Sequence, residues 1–304
     1  MAVVRDRRYW RKLIVFTVIA LLAGVLLAWW IIFGIIMPLI QVDGMMRPVR
    51  AHVCCVTPID HGLAYDDVTF ATRDGVILSG WYIPSHNRAA VMVLHGLGGN
   101  RISRLGAALA LAEADYGVLV FDLRAHGESG GDTISYGAED ARAALAFLRE
   151  RDDVDPNRIG ALGLSLGAMN IVFAAAQEDG IRALALDGLG QAAFEDFPPP
   201  EDVRDFLVTP YRWVGYRALR DRGVSPSAVM DVIGTLAPRP ILLISGAGGD
   251  LERRTQRRYF AAAGEPKSLW EIPEADHGTT WAARPDEYVE RIVAFFNWAL
   301  LMEP

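Results

Sequence analysis

One stretch constrains this chain more than any other: Gly160-Ala161-Leu162-Gly163-Leu164-Ser165-Leu166-Gly167-Ala168. An apolar run over 158–162 reads as a strand, and an apolar helical pattern follows from Ala168 to about Gln177. Between them lies G-x-S-x-G, so the serine sits on a sharp turn from strand to helix. A serine hydroxyl acts as a nucleophile when it stands clear of its own backbone and beside a base. A turn tight enough to present it crowds the residues two before and two after, so both must lack a side chain. Gly163 and Gly167 occupy those two positions. The competing reading, a Gly-rich turn with an idle serine, has no need of both glycines together with the flanking strand and helix.

The rest of the chain divides by charge. The formal net charge of the 304 residues is −7, yet residues 1–12 carry five basic groups and one acid, a net of +4, which leaves −11 for the remainder. An acidic body argues against nucleic acid or an acidic polymer as partner. From Leu13 to Ile40 there are 28 residues without a charge, directly after Arg11-Lys12. A bilayer core needs about 20 apolar residues, and 13–30 alone covers roughly 27 Å as a helix. Trp29-Trp30 then falls at the far interface, where indoles favour the headgroup level. The basic flank puts residues 1–12 in the cytoplasm and everything after Ile40 outside it. The alternative is a cleaved signal peptide, whose apolar region of roughly 7–15 residues is much shorter than this one. The expectation is an uncleaved single-pass anchor over 13–40.

Residues 41–64 read as a linker, with Gly44, Pro48, Pro58 and Gly62 and little periodicity. Cys54 and Cys55, the only cysteines, are adjacent. Disulfides ordinarily span Cα atoms about 4.4–6.8 Å apart, and trans neighbours lie at about 3.8 Å. They imply no disulfide framework and are expected to be small buried hydrophobes. No Cys/His cluster has metal spacing.

From residue 65 on, strands and helices alternate. Strands over 68–72 and 76–83 flank Arg73-Asp74-Gly75 as a hairpin. Further strands are expected over 90–94, 117–122, 158–162, 182–186, 241–245 and 268–272, and helices over about 103–114, 138–151, 253–263 and 286–301. Short apolar strands separated by helices mean a mostly parallel sheet of about eight strands covered on both faces. Sites in such sheets form beyond the carboxyl ends of the strands. Residues 190–238 show no strand pattern and contain Pro198-Pro199-Pro200, Tyr211, Trp213 and Tyr216. A structureless loop of that length is uncommon, so a helical cap is expected there, its aromatics either lining an apolar pocket or forming the cap's own core.

The chain from about Tyr65 onward resembles an α/β-hydrolase. The matching residues are His95-Gly96 after the third strand, Asp122-Leu123-Arg124-Ala125-His126-Gly127-Glu128-Ser129 after the fourth, the turn at Ser165, and His277 after the last strand. Ala125 stands where the family usually has Gly. The resemblance implies a nucleophile, then an acid, then a histidine in chain order. Of the six histidines only His277 follows Ser165, so His277 is the expected base, and His95 and His126 are read as residues that organise loops. The acid is less determined. In Gly246-Ala247-Gly248-Gly249-Asp250-Leu251-Glu252, the glycine Gly249 occupies one usual acid position and Asp250 follows it. Asp250 is the first candidate, Glu252 the second, and Asp187 after the sixth strand the third. The resemblance also implies an oxyanion hole from two backbone amides, Leu166 after the nucleophile and Leu97 in the His95-Gly96 loop.

Together these residues describe a membrane-anchored hydrolase with its catalytic domain, 65–304, outside the cytoplasm. The expected substrate is a small-molecule or lipid-like carboxylic ester, with no metal and no cofactor. A peptidase or an acyltransferase fits the same residues. So does a tethered binding module without chemistry, which the displaced acid position favours and the Ser165–His277 pair opposes.

Overall fold

The structure is a computed structural model and describes residues 7–302. Its centre is an eight-stranded sheet: β1 (Asp66–Ala71), β2 (Ile77–Ile83), β3 (Ala90–Leu94), β4 (Gly117–Phe121), β5 (Ile159–Leu164), β6 (Ala183–Asp187), β7 (Ile241–Gly246) and β8 (Lys267–Ile272). The spatial order is β1-β2-β4-β3-β5-β6-β7-β8. The first two strands form the expected hairpin, with Val68 opposite Gly80, and β2 also runs antiparallel to β4. Every other pairing is parallel.

Alternation along the buried strands supplies two cores. On β3, Ala90, Met92 and Leu94 face one side while Val91 and Val93 face the other. The first side packs against α4 (Glu139–Arg149), α5 (Leu166–Gln177) and α7 (Asp250–Ala262) through residues such as Leu145, Ile171 and Tyr259. The second packs against α3 (Leu105–Glu113) and α8 (Pro285–Phe296) through Leu111, Tyr288 and Phe296. Both faces being covered explains why these strands read as continuous apolar runs.

The chain between β6 and β7, where the sequence suggests a cap, is helical. Its main element is α6 (Val203–Asp221), opened by the Asp202 side chain, which accepts from the Asp205 N–H at 2.7 Å.

The N-terminal part departs from the linker expectation. Helix α1 (Arg7–Ile31) passes through one π turn (Ile32–Ile36) into α2 (Met37–Met46), so helix continues six residues beyond Ile40 and through Gly44. Tertiary packing accounts for this: Gly34, Pro38 and Val42 are buried and the segment lies against α6. Along α1 no residue is buried. Among the described residues this is the one helix long and apolar enough to cross a membrane.

Cys54 and Cys55 also differ from expectation. Both are exposed, and they are joined to each other as a vicinal disulfide. The 47–57 stretch has no regular structure and none of its residues is fully buried; Val53 packs against the core, but the two cysteines after it face outward.

Candidate active site

All the singled-out loops lie at the carboxyl edge of the parallel strands. Ser165 follows β5 with φ 51° and ψ −107°, a region a non-glycine residue occupies only when its surroundings impose it. The imposing contacts are backbone ones. A Cβ on Gly163 would meet the Ala168 nitrogen at 2.6 Å, and one on Gly167 would meet Leu94 Cβ at 2.6 Å and the His95 carbonyl at 2.8 Å. The Ser165 N–H donates to the Asp187 carbonyl at 2.9 Å, which ties the turn to the end of β6.

His277 lies after β8 and reaches the turn: its Nε2 is 3.0 Å from Ser165 Oγ. Its Nδ1 is 2.9 Å from Glu252 Oε2. With Nδ1–H donating to that carboxylate, Nε2 is left as an acceptor for the serine hydroxyl. The Glu252 hydrogen bond is the main cause holding the His277 pKa above its ordinary value, and burial opposes it.

The carboxylate beside His277 is therefore Glu252, the second candidate, and the preference for Asp250 is corrected. Helix α7 begins at Asp250, three residues before its expected start at 253. Glu252 becomes its third residue, and a Glu there turns back toward the helix N-terminus. Its Oε1 accepts from the Gly246 N–H at 3.0 Å, while Oε2 meets the imidazole. Asp250 points elsewhere. It contacts Arg253 and lies 3.4 Å from Arg254, with more than half its side chain exposed. Asp187, the third candidate, is fully buried and receives the Thr280 hydroxyl, the Tyr288 hydroxyl at 2.9 Å, and Arg104 at 3.5 Å. It steadies the His277 loop through Thr280 without touching the imidazole.

The loop after β3 supplies the other wall. A Cβ on Gly96 would lie 3.4 Å from Ser165 Cβ, so the backbone carrying the Leu97 amide passes beside the serine. The turn's own hydrogen bonds use other amides: Gly99 N–H donates to the Gly96 carbonyl at 3.1 Å and Gly98 N–H to His126 Nε2 at 3.0 Å. Leu166 is the first residue of α5, where an N–H has no partner within its helix.

His95 and His126 organise this wall, as the sequence suggested. His95 Nδ1–H donates to the Gly96 carbonyl at 2.7 Å and Nε2 accepts from the Leu123 N–H at 3.0 Å. Burial pushes its pKa down to about 4, so the ring is neutral. His126 Nδ1–H donates to the Arg124 carbonyl at 2.8 Å, and burial lowers its pKa too. Asp122, also buried, accepts from the Arg101 guanidinium and from the Arg101 and Glu128 amides. Ala125, at the family's glycine position, keeps the left-handed backbone that glycine favours, with φ 61°. A cavity of about 750 Å³ opens at the opposite end of the sheet around Arg158, Arg182 and Pro240. Among the described residues, no group of three or more His, Cys, Asp or Glu side chains is placed to hold a metal ion.

The model of the alpha/beta hydrolase fold family matches residues 89–230, which include the His95 loop and the Ser165 turn. The chain is 30% identical over 246 residues to the protein YfhR of Escherichia coli K12, covering 77% of this chain and 81% of YfhR. It is 34% identical over 217 residues to the protein Rv2307c of Mycobacterium tuberculosis H37Rv, covering 69% and 72% of the two chains. Among solved structures, the Pyrococcus furiosus esterase Pf2001 superposes with a TM-score of 0.66 at 25% identity, over 84% of this chain and 99% of the esterase. With this sheet order and this strand-to-helix turn, the chain belongs to the α/β-hydrolase fold family.

Proposed function

We propose that this α/β-hydrolase is a membrane-anchored serine hydrolase that cleaves carboxylic esters through an acyl-enzyme on Ser165. The observation that carries the reading is the contact chain from Ser165 Oγ through His277 to Glu252, at 3.0 and 2.9 Å. Ser165 Oγ attacks the ester carbonyl while its proton passes to His277 Nε2. Glu252 holds the imidazole in the required tautomer and stabilises the imidazolium. The developing oxyanion accepts hydrogen bonds from the Leu97 and Leu166 amides. His277 returns the proton to the departing alcohol. Water then attacks the acyl group with His277 again as base, releasing the acid and restoring Ser165. The residues ask for no metal or cofactor in these steps.

The likeness to the esterase Pf2001 supports an ester as the substrate of this chain. The exposed apolar helix α1 and its basic flank favour a single-pass anchor with residues 1–12 in the cytoplasm and 65–304 outside. A fluorophosphonate probe is expected to label Ser165, and Ser165→Ala to lose both labelling and turnover of esters, tested beside thioesters and aminoacyl amides. Labelling elsewhere, or turnover kept in Ser165→Ala, would sink the serine mechanism. A reporter that is active only in the cytoplasm, fused after residue 46, is expected to be silent. Activity there would reverse the orientation.

A further inference from the structure

A cavity of about 280 Å³ lies between the N-terminal helix and the cap. Four parts of the molecule line it. Pro38, Val42 and Met45 come from α2, Gly215 and Tyr216 from α6, Gln191 from the loop after β6 and Leu251 from the first turn of α7. Most of its wall is apolar. Arg212 also borders it, but that guanidinium is engaged by Asp205 at 3.5 Å and lies over the Phe197 ring at 5.0 Å. Gly215 lines the cavity where α2 and α6 cross, and a Cβ there would stand in van der Waals contact with Pro38 at 3.7 Å and Val42 at 3.9 Å.

Two of its lining residues are close in the chain to the Ser165–His277 site: Leu251 is the neighbour of Glu252, and Gln191 comes three residues after Gly188, where a Cβ would lie 3.0 Å from His277 Nδ1. Its α2 wall continues the helix that leaves for the bilayer. Gly34, where that helix meets the cap, lies only about 6 Å along the axis beyond Trp30, within the depth of a headgroup layer. Helix α6 exposes Val203, Phe206, Leu207 and Trp213 to 53–74%, so apolar surface continues from the anchor onto the cap. Ligand pockets run from about 300 to 1,000 Å³, so this one has room for a chain segment and none for a headgroup.

We propose that this cavity is an acyl-chain subsite, filled by part of the fatty-acyl chain of a membrane-resident lipid ester, and that the anchor helix is one of its walls. The proposal rests on the ester reading of Ser165 and narrows its substrate class. The carbonyl of such a lipid lies at Ser165 while its chain runs between α6 and α2, toward the layer it came from. The tether then shapes the site as well as locating the enzyme.

Tryptophan at Met45 or at Gln41, both on the α2 wall and outside the Ser165–His277–Glu252 chain, shortens the space. Each buried methylene is worth about fourfold in binding, so displacing two or three is expected to lower kcat/KM at least tenfold on dodecanoyl esters. Butanoyl esters, too short to reach, are expected to stay within twofold. The full-length chain in detergent is used, and either tryptophan variant serves if the other fails to fold. A second measurement needs no turnover: a diazirine-bearing palmitate is crosslinked to full-length Ser165→Ala protein and mapped by mass spectrometry. Labelling within 211–219 is expected, and Met45→Trp is expected to remove it while labelling of 13–30 persists. A chain-length profile unchanged in both tryptophan variants overturns the subsite and leaves the ester reading standing. If the unsubstituted protein turns over no ester, that reading fails and the crosslink alone decides: loss in Met45→Trp upholds the subsite, and no labelling of 211–219 overturns it.

Discussion

The two partners of the Ser165–His277 contact are held in opposite ways. Ser165 is fixed by backbone: its turn is wedged between Leu94, His95 and Ala168, and its amide is tied to Asp187. His277 stands on a loop with its side chain 53% exposed, and its ring is oriented by one carboxylate, Glu252. The nucleophile is thus positioned by packing that the fold needs anyway, and the base by one hydrogen bond that the fold could lose. Substitutions on the first side should act on stability, and those on the second on chemistry.

The largest expected effect is on the second side. Glu252→Gln leaves an amide that can offer its N–H to His277 and favours the wrong tautomer, so kcat is expected to fall by about 10³–10⁴ while the protein stays folded. Stopped turnover with an unchanged melting temperature is the pattern to look for. Loss of folding in Glu252→Gln would mean that its bond to the Gly246 amide matters more than its bond to His277, and the contrast would fail.

Gly167→Ala probes the first side. The new methyl meets Leu94 Cβ and two carbonyl oxygens of β3 and its loop within 2.8 Å, and backbone cannot step aside as a flexible side chain can. Overpacking of this kind costs about 1–3 kcal/mol, which for a domain of this size lowers Tm by roughly 2–4 °C per kcal/mol. Thermal unfolding of the Ser165→Ala/Gly167→Ala pair beside Ser165→Ala separates the packing cost from chemistry. An unchanged Tm would show that the turn tolerates a side chain, and that the glycines are not what imposes the Ser165 backbone.

The same asymmetry decides what could be read from the sequence. The sheet, both glycines, Ser165 and His277 are legible because each is set by local pattern: apolar runs between helices, a turn with no room, and one histidine in the right order. The acid is not local. It depends on where α7 begins, and Gly246-Ala247-Gly248-Gly249 imposes no start of its own. Beginning at Asp250 instead of 253 moves Glu252 into the first turn, facing Gly246 and His277, and turns Asp250 outward. The continuation of helix through Gly44 escaped for a related reason. Its cause is packing of Pro38 and Val42 on α6, more than 160 residues away in the chain. Cys54 and Cys55 differ from expectation because burial there depends on tertiary placement: Val53 packs against the core while the two cysteines after it stay exposed.

The pH response gives a smaller effect with a definite sign. Glu252 holds the His277 pKa above its ordinary value of about 6.5. As a base His277 must be neutral, so the acid limb of kcat/KM is expected above that value and rate falls as pH drops through it. Glu252→Gln removes the first cause of the rise, and the imidazole titration, followed by NMR of labelled histidine, is expected to move to lower pH. For stability the sign is opposite: a raised folded-state pKa favours the folded chain most below the unfolded value, and that contribution fades as pH rises through the folded pKa. A limb that stays in place in Glu252→Gln would mean that the carboxylate does not set the His277 charge.

The smallest effect is expected at Asp250, and it sharpens the comparison because the residue sits only two positions from Glu252. Asp250 opens α7, where a negative charge is favourable by about 0.3–1 kcal/mol. Its contacts with Arg253 and Arg254 are solvent-exposed pairs of a kind worth about 0–1 kcal/mol. Arg254 keeps Asp205 at 2.7 Å and Glu201 at 3.0 Å when Asp250 loses its charge, so no cation is stranded. Asp250→Asn therefore gives up part of a helix-end interaction and nothing at His277. The expected result is a Tm lower by no more than a few degrees with kcat within a small factor of the unsubstituted chain. A fall in kcat of a hundredfold or more, with Glu252→Gln still active, would return the acid to Asp250 and require α7 to start further along the chain than it does here.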